Sequence, residues 1–512
     1  MRPCVLAMSC VGAVPILFCT VHNSINFPRR YLQLPYPSLL HRKLFPMAGN
    51  AIERCNIQPS AEDLPTAELI LPLTPLDLIW LYFHPAHRLL FYEIPSCTKS
   101  QFLQTIVPNL KQSLAQTLAR FLPLTGKIVI PDDSGRMPFA RFAPGDSVSF
   151  TVSESDKDFN HLVGNHSRNA DEFYDCVPQL PPAEQSAGGI EFSVLAVQVT
   201  LFPGHGVCVG INNHHAIGDA RCTVDFVKSW AAVNKSGEFN YSDPAPVLDR
   251  TGFKDPDDLG SIFWKMQIQY QGVKFPKLPF PLNKVRRTFV LTNDQIKKLK
   301  QYIVETRPCL THVTSFTVTC GLVWTSLARA EPIADDEPEY MVFTADCRRR
   351  LNPPLPEAYF GNCLSMLLAE TSHGSLKGEA GLATAAELLG EAIREIVDNK
   401  EGILADGKNW PEKYGGLTGK RVLAVAGSPK FSMYSADYGW GRPRKFETGA
   451  IDWERAVSVS AAMDSGGGLE IGLCLKKETM DAFADVFDRT VHKHSHGSLP
   501  LNRQKWGNTS SV

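Results

Sequence analysis

Patterns typical of helices and of strands alternate along the whole chain, and this alternation limits the folds that the chain can adopt. Leucines recur every fourth residue through 109–122 and Pro123 follows, which predicts an amphipathic helix over 109–122. Two β-rich runs, 191–202 and 206–211, flank a short Pro-Gly-His turn and predict a hairpin. The chain is therefore predicted to be a mixed α/β protein.

Short local motifs predict where further helices lie. Thr292 with Gln295, and Thr384 with Glu387, have the spacing of a capping box, whose side chains bond the free amides at a helix start. Apolar residues on a wide face around Trp324 predict a deeply buried helix.

The composition bounds the number of domains and the kinds of partner. With 44% hydrophobic residues, 512 residues can bury more than one core, and two large halves are the simplest division. The Pro- and Asp-rich segments 252–260 and 274–284 predict a crossover at 252–284, between an N-terminal lobe at 47–251 and a C-terminal lobe at 285–491. The formal net charge of −1 gives no broad basic surface for nucleic acid or an anionic membrane, so a local cluster must bind any anion.

The cysteines indicate a reducing compartment. There are thirteen, without a Cys-x-x-Cys pair or a regular framework, and most lie in apolar segments. We therefore expect buried, reduced thiols and a cytoplasmic protein.

Two motifs carry the chemistry. His214 and His215 directly follow the second β-rich run and precede Asp219, and Asp437-Tyr-Gly-Trp-Gly lies about 220 residues further along. A histidine titrates close to neutral pH and can take the proton of an alcohol that attacks a carbonyl carbon, so His215 is a candidate general base. A His-x-x-x-Asp pattern alone should occur by chance about once in such a chain, but the ordered pair of motifs is far more specific.

Together with five further stretches, the two motifs resemble the BAHD family of plant acyltransferases, which move an acyl group from coenzyme A to an alcohol or amine. The resemblance runs from about Met47 to about Val486, and its further stretches are Leu73–Tyr92, Phe121–Ile128, Arg286–Leu291, Ser315–Ala330 and Ala345–Cys363. Tyr-Phe-Gly-Asn-Cys at 359–363 resembles the group that acylates the sugars of flavonoid and other phenolic glycosides. The resemblance implies two similar α/β lobes of the coenzyme A-dependent, chloramphenicol acetyltransferase-like fold, with mixed sheets and a central channel.

The resemblance also bears on the two ends of the chain. Residues 4–21 form an apolar run that could pass for a secretion signal or a weak anchor, but Gly12 and Pro15 interrupt it. The stretch that begins at Met47 looks like a natural start for the family, so 1–46 is read as a mis-assigned start or an extension at least as readily as a targeting segment. The tail at 492–512 is predicted to be disordered.

The motif residues receive expected roles from the resemblance and from their chemistry. His215 would deprotonate the acceptor hydroxyl and then protonate the departing thiolate. Asp219 is expected to hold the turn by pairing with an arginine, and Gly218 to let the chain turn sharply. His214 is expected to face away, and a metal site built from both histidines and Asp219 is a minor alternative.

The second motif is expected to form a packed loop. Two glycines and a tryptophan, Gly439, Trp440 and Gly441, suit such a loop. Asp437 is expected to pair with one of the three arginines at 348–350, and a proton-accepting role is the alternative.

Coenzyme A carries phosphates, so basic and hydroxyl-bearing side chains are expected at its site. The residues proposed for this role are Lys284, Arg286, Arg287, Thr311, Ser315, Arg348 and Arg350. A malonyl donor would need one more cation for its own carboxylate, and Arg221 is one candidate, although a salt bridge to Asp225 is the simpler expectation.

The sequence thus predicts an acyl-CoA-dependent O-acyltransferase that moves malonyl onto a sugar hydroxyl of a phenolic or flavonoid glucoside. Acyl-CoA is expected as a co-substrate, with no cofactor, metal, nucleic acid or membrane, and the protein is expected to be a monomer. An aromatic acyl donor on the same acceptors, a catalytically idle binding protein, and a secreted or tethered hydrolase remain as alternatives.

Overall fold

The structure of the protein is a computed structural model that describes residues 51–60, 64–133, 135–239, 244–269, 283–310, 313–452, 455–464 and 466–496. Several predictions concern residues outside these ranges: the apolar run at 4–21, Thr311, most of the second crossover segment, and the tail beyond 496. Within the described ranges, no helix combines the length and the apolar character needed to cross a membrane.

The strands, in chain order, are β1 Ala51–Ile57, β2 Leu69–Pro72, β3 Ala86–Glu93, β4 Lys127–Pro131, β5 Phe139–Phe142, β6 Val148–Glu154, β7 Arg168–Asn169, β8 Glu184–Ser186, β9 Gly189–Ser193, β10 Leu195–Phe202, β11 Gly206–Asn213, β12 Val285–Leu291, β13 Pro338–Asp346, β14 Leu364–Ser372, β15 Arg421–Ala426, β16 Lys445–Thr448, β17 Ala456–Ala461 and β18 Leu469–Leu475.

The helices are α1 Pro75–Leu78, α2 Lys99–Gln101, α3 Val107–Arg120, α4 Phe159–Leu162, α5 Ala220–Ser236, α6 Leu259–Ile268, α7 Asn293–Thr306, α8 Ser315–Ala330, α9 His373–Lys377, α10 Gly381–Val397, α11 Trp410–Gly415 and α12 Lys477–His496. Because α12 continues to His496, the chain is still helical beyond residue 492, where the sequence predicted a disordered tail.

The strands form three sheets, which confirms the predicted mixed α/β class. A six-stranded sheet has the order β1-β6-β10-β11-β3-β16, a seven-stranded sheet the order β14-β13-β15-β17-β18-β12-β7, and a five-stranded sheet the order β2-β5-β4-β9-β8. Both larger sheets are mixed, since β6 and β10 are parallel in the first and β13, β15 and β17 are parallel in the second.

The predicted hairpin is confirmed, but the first of its β-rich runs is divided. β10 and β11 pair in antiparallel register from Leu195 opposite Asn213 to Phe202 opposite Gly206. The residues before Val194 belong to β9, which pairs with β4 in the five-stranded sheet. A local pattern of β-rich residues cannot show that one run serves two sheets.

Two large apolar clusters form the main cores of the described chain. In the larger one, Leu110, Leu114 and Leu118 of α3 are fully buried with α5 residues against the six-stranded sheet. In the second, α7, α8, α10 and α12 pack on the seven-stranded sheet around the fully buried Trp324. Apolar stripes on the helices therefore form the cores, as their periodicity predicts.

One predicted capping box is confirmed and the other is wrong. Thr292 and Gln295 cap α7 reciprocally. Thr384 lies inside α10, which begins at Gly381 because the apolar Leu382 and Ala383 are already buried in the core. Burial in the tertiary structure thus makes this helix begin before its local start signal.

The two large sheets exchange edge strands. β16 lies late in the sequence but pairs with β3 in the six-stranded sheet, and β7 lies early but pairs with β12 in the seven-stranded sheet. No single cut in the sequence therefore separates the two sheets.

A buried ionic network lies at this exchange. Arg168 of β7 contacts Glu447 of β16 at 2.7 Å, and Arg286 of β12 contacts Asp452 at 2.5 Å and Glu447 at 3.7 Å. All four side chains are at most 4% exposed, and Tyr174 also donates to Asp452. The network links residues from both halves of the sequence.

Removing one charge from this network should destabilise the protein. In the Asp452→Asn variant Arg286 stays buried with a single carboxylate at 3.7 Å, so we expect a loss of about 3 kcal/mol in the free energy of unfolding. Chemical denaturation followed by tryptophan fluorescence measures this. The matched control is Asp481→Asn, whose partner Lys477 is exposed and whose loss should not be measurable. Equal stability of Asp452→Asn and the wild type would contradict the expectation.

Candidate active site

The candidate site forms where β11 ends and α5 begins. Asn213 is the last strand residue, a single 3-10 turn covers His215–Ile217, and Asp219 is the N-cap of α5. The His214 side chain accepts a hydrogen bond from the Ala216 amide at 3.2 Å, so it is turned back onto its own turn.

Aromatic stacking holds the His215 ring. Its centroid lies 4.1 Å from that of Trp80 with planes 18° apart, and Phe83 presents an edge at 5.5 Å. Nδ1 is buried, which leaves Nε2 as the nitrogen for a substrate. The imidazole is thus oriented by packed rings, and Asp219 is engaged elsewhere.

The environment keeps His215 neutral. Burial by the surrounding groups, together with the positive charge of Arg88, lowers its pKa to about 4, although part of the residue remains accessible. At neutral pH the imidazole is therefore unprotonated, which is the state that a general base requires.

A second chain of contacts fixes the backbone of the turn. The buried carboxylate of Asp77 accepts hydrogen bonds from the Asn362 backbone amide at 2.7 Å and side-chain amide at 3.0 Å. The Asn362 side chain also donates to the backbone oxygen of His215 at 2.9 Å. Asn362 therefore connects α1 to the histidine turn.

These supporting residues were given no role by the sequence reasoning. Asp77 and Trp80 stood only within a stretch that carried the resemblance, and Asn362 only within a subgroup marker. A signal was present, since Asp77 is a lone carboxylate in the apolar run Leu-Thr-Pro-Leu-Asp-Leu-Ile-Trp, and such a group is buried only with partners.

Asp219 has the arginine partner that was expected. Its carboxylate contacts Arg348 at 2.8 Å, and it also accepts from the backbone amides of Arg221, Cys222 and Cys363 at 3.1, 3.3 and 3.2 Å. Both charged side chains are 2% exposed. The ion pair joins the start of α5 to the residues that follow β13.

Comparison with known proteins identifies the family. The chain matches the model of the Transferase family over residues 50–490. It belongs to this family, the BAHD acyltransferases.

Individual relatives of this acyltransferase cover nearly its whole described length. Phenolic glucoside malonyltransferase 1 of Nicotiana tabacum is 44% identical over 454 residues, 86% of this chain and 99% of that protein. Malonyl-coenzyme:anthocyanin 5-O-glucoside-6'''-O-malonyltransferase of Salvia splendens is 41% identical over 450 residues, 86% of this chain and 95% of that protein.

A solved structure shows the fold. The crystal structure of vinorine synthase matches with a TM-score of 0.60 at 20% identity, over 85% of this chain and 96% of that one. The acyltransferase therefore has the predicted coenzyme A-dependent, chloramphenicol acetyltransferase-like fold with mixed sheets.

Asp437 does not pair with the arginines at 348–350, so that prediction is wrong. Its carboxylate contacts Lys235 at 2.7 Å and accepts from the amides of Gly439 and Gly441, both at 2.8 Å. Burial would raise its pKa, but these contacts outweigh it and lower the pKa. Lys235 is near the end of α5, whereas Asp219 caps its start, and 16 residues of helix rise about 24 Å. The loop packs at the far end of α5 from His215.

The glycines of the two motifs are required for different reasons, backbone conformation in one motif and space in the other. Gly439 and Gly441 have φ of 98° and 88°, which favours glycine in the loop, and Trp440 stacks on Tyr438 with centroids 5.5 Å apart. Gly218 has an extended φ of 172°, so the expectation of a sharp turn at this residue is wrong. A Cβ at Gly218 would lie 2.9 Å from the Cβ of Cys222, so glycine is needed there for space.

Two of the residues predicted to bind coenzyme A are wrong. Arg286 and Arg348 are almost completely buried and are paired with carboxylates, so neither can contact a ligand. Charged residues in short basic runs cannot be sorted by sequence into buried and exposed. Four other predicted residues are described. Lys284 donates to the backbone oxygen of Asp452, and Arg350 donates to the backbone oxygen of Asp346. Arg287 lies over the Phe289 ring, and Ser315 is the first residue of α8.

The described cysteines are reduced. The ten cysteines within the described ranges are all free thiols, and most are buried. No group of three or more His, Cys, Asp or Glu in those ranges has the arrangement of a metal site.

The buried histidines should make the folded protein sensitive to acid. Burial lowers the pKa of His87 to about 3 and those of His214 and His215 to about 4, with nearby positive groups adding to the effect. The unfolded chain binds protons at these sites below about pH 6.5 and the folded protein does not, so proton binding favours unfolding. We expect the melting temperature to fall as the pH is lowered from 6.5 to 4, with a shallower fall in His214→Asn. A melting temperature that is constant over this window would contradict the assignment.

Asp437 is expected to act on stability and activity together. The Asp437→Ala variant removes the acceptor of two loop amides and the partner of Lys235, so we expect a loss of about 1–2 kcal/mol in unfolding free energy and a fall in turnover. Lys235→Met removes the ion pair alone and should lower both quantities less. Lost turnover in Asp437→Ala at unchanged stability would instead assign Asp437 a direct part in proton transfer.

Proposed function

We propose that this acyltransferase transfers the malonyl group of malonyl-CoA to a sugar hydroxyl of a phenolic or flavonoid glucoside. Both relatives described above are named as malonyltransferases, while their acceptors differ: one acts on a phenolic glucoside and the other on an anthocyanin 5-O-glucoside. The similarity therefore supports the donor and the glucoside class more strongly than it supports any one acceptor.

The observation that carries the chemistry is the neutral, oriented imidazole of His215. Nε2 takes the proton of the acceptor hydroxyl while the hydroxyl oxygen attacks the carbonyl carbon of the thioester. The carbon–sulfur bond then breaks, and the imidazolium returns the proton to the sulfur of the departing coenzyme A. His215 thus ends each cycle in its neutral state. No acyl-enzyme is needed because both substrates meet at one base.

The contacts around His215 explain how this base is kept in position. Trp80 fixes the plane of the ring, and Asn362 fixes the backbone oxygen of the same residue. Asp219 acts through Arg348 and the amides of α5, so it is a positioning residue in this proposal. Such fixed placement lowers the barrier by avoiding reorganisation when the reaction takes place.

A donor panel tests the function directly. Purified full-length protein is given malonyl-, acetyl- and coumaroyl-CoA in turn, each with phenolic and flavonoid glucosides, and free thiol and product mass are measured. Acceptor-dependent thiol release with a malonyl mass increment is the expected result. Success with coumaroyl-CoA and failure with malonyl-CoA would favour an aromatic acyl donor, and silence with every donor would favour a binding protein.

The role of His215 has its own variant. His215→Ala should lower kcat by about a thousandfold because the general base is lost, with the fold unchanged by circular dichroism. The matched control is His214→Asn, which keeps a side-chain acceptor for the Ala216 amide and should retain most activity. If His215→Ala kept most of its activity, His215 would have no part in the mechanism.

The cytoplasmic location and the monomeric state remain predictions. The location rests on the free thiols of the described chain, which suit a reducing compartment. Size-exclusion chromatography with light scattering measures the oligomeric state.

A further inference from the structure

Arg88 differs in its surroundings from the more deeply buried arginines. Arg168, Arg286 and Arg348 each contact a carboxylate within 2.8 Å, and Arg250 lies 3.9 Å from Asp77. Arg88 is only partly buried, but no carboxylate of the described chain lies within ion-pair distance of it. Its one side-chain hydrogen bond there goes from Nη1 to Oδ1 of Asn213, a neutral group, at 2.8 Å.

The strand register places Arg88 beside the catalytic turn. On β3, Leu90 and Tyr92 face the larger apolar cluster, while Leu89 and Phe91 face the opposite side of the sheet. Alternation along the strand puts Arg88 on the side of Leu90. Its partner Asn213 ends β11 two residues before His215. The guanidinium therefore lies at the end of β11, where the turn that contains His215 begins.

Removing a cation from water without a counter-charge costs free energy. An anionic ligand that binds the cation offsets this cost. Burial lowers the pKa of Arg88 to about 10, and the partial compensation from Asp219 is limited because that carboxylate is paired with Arg348. Within the described chain, four of the five guanidinium N–H donors remain for another acceptor, and the residue is partly accessible.

From this geometry we infer that Arg88 binds the free carboxylate of the acyl group and so selects a malonyl donor. The inference rests on the proposed function. In a malonyl thioester the carboxyl carbon is about 2.5 Å from the reacting carbonyl carbon, from two carbon–carbon bonds. A receptor for that carboxylate must therefore lie near the base. Arg88 bonds Asn213, two residues before His215, and a guanidinium can hold a carboxylate by two parallel hydrogen bonds.

Arg221, the cation suggested by the sequence, is already engaged. It lies 3.4 Å from Glu357 and 3.7 Å from Asp225, and both of these carboxylates are about half exposed. Its charge is thus balanced at the surface, whereas that of Arg88 is not.

The test compares two donors in one protein. For wild type, Arg88→Met and Arg88→Lys, kcat/KM is measured with malonyl-CoA and with acetyl-CoA, which lacks the carboxylate, on the same glucoside. Arg88→Met keeps the apolar stem and should lower the malonyl-to-acetyl ratio by about 50-fold, the size expected for losing hydrogen bonds to a charged group. Arg88→Lys keeps the charge without the fork and should lose less. Arg221→Gln is the matched arginine control, and its ratio should equal that of the wild type.

The remaining outcomes separate the two proposals. Equal losses with both donors in Arg88→Met and Arg88→Lys would show a purely structural arginine and overturn the inference, as would a fall of the ratio in Arg221→Gln alone. An unchanged ratio in Arg88→Met, with wild type active on malonyl-CoA, would overturn the inference and leave the proposed function intact. Wild-type activity with other donors and none with malonyl-CoA would overturn both.

Discussion

The ion pair between Asp219 and Arg348 is the contact on which the geometry of the site depends. It lies where the helix start after β11 meets the chain that leaves β13, and it is almost completely removed from solvent. Arg348 also donates to the backbone oxygens of Tyr359 and Gly361 at 3.1 and 3.0 Å, and so holds the segment that contains Asn362. Asn362 in turn bonds the backbone of His215. Loss of either charge would leave a buried, uncompensated partner beneath the base.

The exchange of edge strands explains why the halves of this molecule form one unit. β16 completes the sheet that carries His215, and β7 completes the other large sheet, so each sheet needs a segment that is remote in sequence. The buried ions at the exchange satisfy one another across the two halves, which favours a single docked arrangement because any other would separate charges in a dry interior. A site built between halves requires such fixed docking.

Packing and charge control the orientation and the protonation state of His215. Trp80 and Phe83 orient the imidazole, and enclosure together with Arg88 keeps it unprotonated. Arg88 thus has two effects in the proposed mechanism: it lowers the pKa of His215, and it provides a binding site for an anionic acyl group. In the proposed reaction the carboxylate of the donor would bind Arg88 and neutralise its charge, which would raise the pKa of His215. Donor binding would thereby strengthen the base.

Local patterns in the sequence predicted several helices, one hairpin and the family of this protein. Four-residue spacing predicted the buried face of α3, the Thr292 and Gln295 pair predicted the start of α7, and the turn after the first β-rich run predicted the hairpin that delivers His215. These features depend on neighbours within a few residues, so the sequence is sufficient for them. The motifs were also specific enough to indicate the family that the comparisons then showed.

Only the tertiary structure decided which charges meet. Arg286 and Arg348 were expected near coenzyme A and are buried in ion pairs. Asp437 was expected beside one of the arginines at 348–350 and is bound to Lys235 at the other end of α5. The surroundings of Arg88 could not be predicted, because nothing in its own segment distinguishes an arginine that has a counter-charge from one that lacks it. Ion pairs across more than a hundred residues depend on strand order and on the exchange of β7 and β16, and neither is encoded in a local pattern.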